Sequence, residues 1–251
     1  MGRDQSAART MNEGGSGKQG QRSTPSKGAI VIPCFNHADT VNSVITELQS
    51  VVPSLPIVVV DDGSNPAVEV EPPTTVLRHS SNKGKTVALV TGVNHVKDSD
   101  FVVFVDADGQ HPIEFVPELI RSLDSPSPVD LTTASRDFFR DSSIPLRHRL
   151  ANLTLALEFA LINGKYIPDV TNGLRAIRTG KFLAIDFAKK GYQVEIETLS
   201  FLLKNGGHIR SVPVHGSKYQ TKSAVGRGIH MTASLGLSML VDFFRSSDNS
   251  K

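Results

Sequence analysis

This 251-residue chain has one cysteine, no tryptophan and almost no net charge. Cys34, standing alone, excludes an intrachain disulfide and a thiol-rich metal cluster, and it fits a reducing compartment. The 27 basic side chains are nearly matched by 25 acidic ones, for a formal net charge of +2. That is too little for bulk electrostatic capture of nucleic acid, so no nucleic-acid partner is expected. No segment reaches the roughly 20 consecutive apolar residues that span a bilayer. Bulky apolar side chains are nearly absent from residues 1–27, which are rich in Gly, Ser, Gln, Arg and Lys. Such a composition cannot bury enough surface to offset the entropy of ordering, and a disordered tail is expected. The same stretch lacks the apolar core of a secretory signal peptide, so the expected location is cytoplasmic.

What remains is long enough for one domain with a good core and a small appendage. Apolar runs bounded by turn residues predict strands at residues 29–32, 56–60, 74–77, 101–105 and 129–134, with further strands at 173–177 and 208–214. Helical spacing predicts helices over residues 38–49, 84–96, 113–123, 150–163, 179–188 and 195–204, with Gly164 as a stop. Strands alternating with helices imply an α/β fold with a mainly parallel sheet covered on both faces. Residues 150–162 and 228–241 are unusually apolar. Each is read either as a core helix or as a helix docked on a membrane surface.

Asp106-Ala107-Asp108-Gly109-Gln110-His111 follows the strand Phe101–Val105 directly. It therefore lies at the carboxyl end of a strand, where open α/β sheets place their ligand sites. Two carboxylates one residue apart are costly to crowd together unless a cation or strong donor offsets them. Hard oxygen ligands of this kind suit Mg²⁺ or Mn²⁺, which commonly hold substrate phosphates. A metal-bridged nucleotide-diphosphate site is expected. A second acidic turn, Asp61-Asp62-Gly63-Ser64, ends another strand, and an Asp there can accept from a base or ribose hydroxyl.

Gly84-Lys85-Thr86 looks like the end of a phosphate-binding P-loop, but that motif requires glycine where this chain has His79. An ATPase reading is rejected, although Lys85 near a helix start can still neutralise a phosphate. Arg136, Arg147 and Arg149, and the late Lys218, Lys222 and Arg227, are candidate phosphate ligands or else a solvated basic surface. Glu195 and Glu197 read as helix-end charge, and Asp169 as part of a turn.

Taken in order, these segments resemble the family-two glycosyltransferases of the GT-A fold. Ile32-Pro33-Cys34-Phe35-Asn36 is similar to the family's opening motif, Val60-Asp61-Asp62-Gly63-Ser64 to its second strand end, Asn82-Lys83-Gly84-Lys85 to its N-x-G-K segment, and Asp106-Ala107-Asp108 to its D-x-D. The continuation through Gln110, His111 and Pro112 resembles the dolichol-phosphate mannosyltransferase and polyprenyl-phosphate branch. So do Ser135-Arg136, residues 169–175, residues 195–199 and residues 211–214. Two places depart from the pattern. His37 follows Asn36 where many members have Glu, and the loop through Gly216-Ser217-Lys218 differs from the usual one, which leaves the alignment of the last phosphate ligand open.

The resemblance implies a Rossmann-like GT-A domain over residues 28–223, followed by an amphipathic or membrane-docking helix over 224–251. It implies a nucleoside pocket of Pro33, Phe35, Asn36, Asp61 and Asp62, and a Mg²⁺ or Mn²⁺ site of Asp106, Asp108 and Gln110. Arg136, with Arg147 and Arg149, would receive an acceptor phosphate, while Lys85, Lys218 and Lys222 would serve the donor phosphates. Asp108 and Arg136 take the catalytic roles. The expected reaction is inverting transfer of a hexose from a GDP- or UDP-sugar to a dolichyl or undecaprenyl phosphate, at the cytoplasmic face of a membrane. A lipid phosphate is already largely anionic at neutral pH and needs little help from a base. A sugar hydroxyl does need one, and no third carboxylate is evident from the sequence. The alternatives are a transferase of the same fold acting on a saccharide or other hydroxyl, a noncatalytic nucleotide-sugar binding module, and a nucleotidyltransferase.

Overall fold

The computed structural model describes residues 27–125, 127, 129–138, 144–187 and 194–216. The expectations for residues 1–26 and 224–251, and for Lys218, Lys222 and Arg227, fall outside the described residues. The short apolar runs become strands β1 (Gly28–Cys34), β2 (Ile57–Asp61), β3 (Thr75–Arg78), β4 (Phe101–Phe104), β5 (Leu131–Arg136), β6 (Arg175–Arg178) and β7 (Ile209–Val214). Between them lie α1 (Val41–Val51), α2 (Lys85–His95), α3 (Val116–Leu123), α4 (Leu146–Asn163), α5 (Thr179–Leu183) and α6 (Val194–Lys204).

The described strands form one sheet in the order β3-β2-β1-β4-β6-β5-β7. All neighbours pair in parallel except β6, which is antiparallel to both β4 and β5. This is the expected α/β architecture with a mainly parallel sheet, plus one reversed strand that periodicity cannot reveal. The reversal matters because the residues that enter β6 arrive at the edge where β1, β2, β4, β5 and β7 end.

Alternation along the strands feeds two cores. Ile30, Ile32, Val59 and Val103 face α1 and α3, packing against Val44, Leu48, Val116 and Leu119. Val31, Val58, Val60 and Val102 face the other way, toward Leu89 and Val93 of α2, Leu155 and Phe159 of α4, and Leu199 of α6. Burial on both faces explains why these strands read as unbroken apolar runs.

Helix α4 begins at Leu146 after Pro145, whose φ of −58° suits a helix entry. The expected start at Leu150 is one turn late, because the first turn is basic rather than apolar. Arg147 and Arg149 therefore lie on the helix and not ahead of it. Gly164 ends α4 in the left-handed region at φ 72°. The helix divides its leucines: Leu155 and Phe159 are buried, whereas Leu146, Leu150, Leu157 and Leu161 are exposed. No helix among the described residues is long and apolar enough to cross a membrane.

The turn after β2 is fastened by Asp61, which is wholly buried. Its oxygens accept the Ser64 N–H at 2.8 Å and the Val68 N–H at 3.1 Å, and Oδ2 also takes the Arg78 guanidinium. Burial alone would raise its pKa, but the hydrogen bonds from Ser64 and Val68 and the charge of Arg78 together hold it below the ordinary carboxylate range. Asp61→Ala orphans these donors and is expected to cost about 2–4 kcal/mol in urea unfolding at neutral pH. A depressed pKa stabilises fully above the unfolded value of about 4 and is lost as pH falls through the folded value. The gap between wild type and variant should therefore narrow in acid, and a gap independent of pH would contradict this role.

Candidate active site

A cavity of about 330 Å³ opens at the carboxyl edge of the sheet. Pro33, Cys34 and Phe35 at the end of β1 form one wall, Asp62 lies beyond β2, and Asn82 and Lys85 come from the start of α2. Asp106, Ala107 and Asp108, just past β4, form the floor. Burial, opposed only in part by the His37 backbone, pushes the Cys34 thiol up to about 11, which disfavours its thiolate.

The residues expected to hold a nucleoside divide here. Asp61 is sealed off by protein donors, whereas Asp62 reaches the cavity wall. Asp62 Oδ1 accepts the Lys83 N–H at 2.9 Å and lies 2.6 Å from His79 Nδ1, and Oδ2 accepts the Gly84 N–H at 2.8 Å. It thereby ties the end of β2 to the entry of α2. Asn36 adopts φ 58°, a conformation that Asn tolerates better than most residues. Its backbone donates to Ser64 Oγ at 2.9 Å and its Oδ1 accepts the Asn65 N–H at 3.1 Å, which locks the first loop to the second. Phe35 is 43% exposed and lines the cavity.

Asp106 is at the centre. Its Oδ1 lies 2.7 Å from Lys85 Nζ, and the same ammonium is 2.8 Å from Glu195 Oε1 at the start of α6. Burial by itself would raise the Asp106 pKa, but the Lys85 charge above all outweighs it and holds the carboxyl down to about 2. Burial would likewise lower Lys85, and the two carboxylates reverse this and raise it. His111 takes the Asp106 backbone N–H on Nδ1 at 3.1 Å, with Nε2 3.6 Å from Asp106 Oδ2. Burial holds His111 below its ordinary pKa; Lys85 and Arg136 add to this, while Asp106 and Asp108 oppose it.

Glu195 was expected only to decorate a helix end, yet it is buried and shares Lys85 with Asp106. The reason lies in β6. Its register pairs Phe104 with Arg175 and, carried two residues further, sets Gly173 opposite Asp106. A Cβ on Gly173 would lie 2.7 Å from Asp106 Oδ2 and 3.1 Å from Lys85 Nζ, so a side chain here would have to push the ends of those two groups aside. Arg175, fully buried, donates to the carbonyls of Asn172 at 2.6 Å, Val170 at 2.8 Å and Glu195 at 2.6 Å. Burial pulls its pKa down to about 10, partly offset by Glu195, Asp169 and Asp106. It remains charged and pins the β6 entry loop to α6.

Asp108 faces the cavity, with Oδ1 accepting the Gln110 backbone N–H at 3.0 Å. Among the described residues no three His, Cys, Asp or Glu side chains converge as a ready-made metal cage. Mg²⁺ or Mn²⁺ nonetheless fits the donor set, because these ions commonly use one or two carboxylates and complete their shell with water and phosphate.

On the far side of Asp106, Arg136 at the end of β5 forms a two-pronged pair with Asp169, at 2.7 Å from Nε and 3.0 Å from Nη2. Asp169, expected as an ordinary turn residue, is wholly buried and also accepts from Asn172 Nδ2 at 3.1 Å. The Arg136 guanidinium lies over Phe138, 4.9 Å from the ring centre. His148 is held below its usual pKa by burial and by the charges of Arg147 and Arg136. Arg147 is exposed, while Arg149 Nε donates to the Ile144 carbonyl at 2.8 Å.

Gly173→Ala should displace the Asp106 carboxylate, costing about 1–3 kcal/mol of stability and weakening Mn²⁺ binding. Thermal denaturation and Mn²⁺ titration would check both, and wild-type behaviour in each would show that the close approach is unimportant.

The geometry agrees with known proteins. Residues 29–189 match the model of glycosyl transferase family 2. A curated relative is the UDP-N-acetylglucosamine–dolichyl-phosphate N-acetylglucosaminyltransferase of Methanococcus voltae, 26% identical over 80% of this chain and 89% of that protein. Among solved structures, mannosyl-3-phosphoglycerate synthase from Rubrobacter xylanophilus shares the fold with a TM-score of 0.70 at 19% identity, covering 89% of this chain and 75% of that one. Glucosyl-3-phosphoglycerate synthase from Mycobacterium tuberculosis, solved with Mn²⁺, uridine diphosphate and phosphoglyceric acid, gives 0.60 at 22% identity, covering 86% and 78%. Both structures are synthases of sugar-phosphoglycerates and not of lipid-linked sugars, which counts against the polyprenyl-phosphate acceptor expected from the sequence. The chain adopts the GT-A fold and belongs to glycosyl transferase family 2.

Proposed function

We propose that this protein transfers a sugar from a nucleoside-diphosphate donor to a hydroxyl group of its acceptor. The observation that carries the reading is Glu195, a third carboxylate separated from Asp106 by a single ammonium. An anionic phosphate acceptor would have little use for it, whereas a hydroxyl must shed a proton in the transition state. Glu195 is the group to which that proton is assigned.

Pro33, Phe35, Asn36 and Asp62 would take the nucleoside, with Asp61 bracing their turn. Asp106 and Asp108, with Gln110, would hold Mg²⁺ or Mn²⁺, which when bound offsets the charge of the departing diphosphate. Lys85, beside the same phosphates, adds a fixed positive charge and keeps Asp106 ionised. The cations Arg136, Arg147 and Arg149 would receive an anionic portion of the acceptor, with Asp169 holding Arg136 in place. The Mn²⁺, uridine diphosphate and phosphoglyceric acid in the mycobacterial synthase support a metal, a nucleotide donor and a small hydroxylated acid as acceptor. Lys218 and Lys222 are assigned to the donor phosphates by sequence alone.

The test is a matrix of nucleotide sugars and hydroxylated acceptors, including 3-phosphoglycerate and simple sugars, assayed for nucleoside diphosphate release with Mn²⁺. Release that depends on a water-soluble hydroxyl acceptor supports the reading, and release of pyrophosphate would replace it with nucleotidyl transfer. Glu195→Gln should lower kcat by about 10²–10⁴-fold while donor binding holds. An unchanged kcat would remove Glu195 from the chemistry. Asp108→Ala or chelation with EDTA should abolish turnover with little change in melting temperature, and full activity in EDTA would exclude a metal requirement.

A further inference from the structure

One imidazole holds Asp106 at two points. His111 Nδ1 accepts the Asp106 backbone N–H at 3.1 Å, so that nitrogen carries no proton and the ring's N–H is on Nε2. Nε2 faces the carboxylate of the same residue, 3.6 Å from Oδ2, a charge–dipole contact longer than a hydrogen bond. The ring is packed in place, with only 13% of the side chain accessible. Oδ1 of Asp106 is held by Lys85, and Oδ2 rests against the bare Cα of Gly173. The carboxylate is thus fixed on three sides, while Asp108 is held by its own turn through Gln110.

We infer that His111 is a positioning residue that sets the backbone and the carboxylate rotation of Asp106, so that Asp106 and Asp108 present oxygens to one cation. The inference rests on the reading of Asp106 and Asp108 as the metal carboxylates. Fixing the residue from both its N–H and its carboxylate leaves it less freedom to turn toward Lys85 alone. Removing a partner that orients a metal-binding carboxylate commonly weakens metal binding by about 10- to 100-fold.

The two interactions can be separated by substitution. An Asn at position 111 places its oxygen near the site of Nδ1 and keeps an acceptor for the Asp106 N–H, but nothing reaches the carboxylate. A Gln extends one bond further and can present its amide N–H near the site of Nε2. Mn²⁺ is titrated into the full chain with UDP and, separately, with GDP, and melting temperatures are measured in parallel. His111→Asn is expected to keep the wild-type melting temperature and lose about 10- to 100-fold in Mn²⁺ affinity. His111→Gln is expected to bind Mn²⁺ more tightly than His111→Asn while being no more stable.

His111→Ala should lose both stability and affinity. Affinities that simply follow melting temperature through the series would make His111 a structural residue and overturn the inference. So would wild-type Mn²⁺ affinity in His111→Asn. Asp108→Ala separates the two levels of argument. If it binds Mn²⁺ like the wild type, the metal reading itself fails and the positioning role falls with it. If it loses Mn²⁺ while His111→Asn does not, only the positioning role fails.

Discussion

A single ammonium between two carboxylates organises this site. Lys85 Nζ lies 2.7 Å from Asp106 and 2.8 Å from Glu195, joining the start of α2 to the end of β4 and the start of α6. Two carboxylates drawn together without a cation would each resist ionisation. With Lys85 between them, Asp106 stays ionised down to about pH 2. The charge balance of this cluster is thus built into the fold itself. The side chain of Lys85 remains 38% accessible, so the same ammonium also faces the cavity it lines.

Behind that pair, Arg175 holds the supporting loop in place. A fully buried guanidinium is costly to desolvate, and here three backbone carbonyls, from residues 170, 172 and 195, take up its donors. Those carbonyls belong to the loop that carries Asp169 and Gly173 and to the first turn of α6. The Arg136–Asp169 and Lys85–Glu195 pairs are therefore coupled through one side chain. Preorganised charge of this sort needs no rearrangement when a charged substrate arrives, which is how such sites stabilise charge as it develops.

Glu195 illustrates what local spacing can miss. The segment from Asp106 to Pro112 resembles the lipid-phosphate branch closely, and the apparent absence of a third carboxylate points the same way. Glu195 reads as helix-end charge because nothing in residues 194–204 distinguishes a solvated first turn from a buried one. Its burial comes from contacts with Lys85, 110 positions earlier in the chain, and with Arg175 through its carbonyl. Asp169 reads as an ordinary turn residue for the same reason, since its partner Arg136 lies on a strand well before it in the chain.

The sequence by itself determined the elements and their order along the chain. Unbroken apolar runs in β1, β2 and β4 are legible because both faces of those strands are buried, and Gly164 stops α4 through its own backbone preference, while the basic first turn hid the start at Leu146. The D-x-D segment could be placed at a strand end because it directly follows such a run. These signals act over a few residues, where spacing and burial are tightly linked. Only the tertiary structure decided that β6 runs backwards, that Gly173 must lie against Asp106, and that Lys85, Glu195, Arg175 and His111 converge there. Those facts depend on strand direction and on pairings between distant segments, which local spacing does not encode. There the buried Glu195, Asp169 and Arg175 each meet a partner supplied by another segment of the chain.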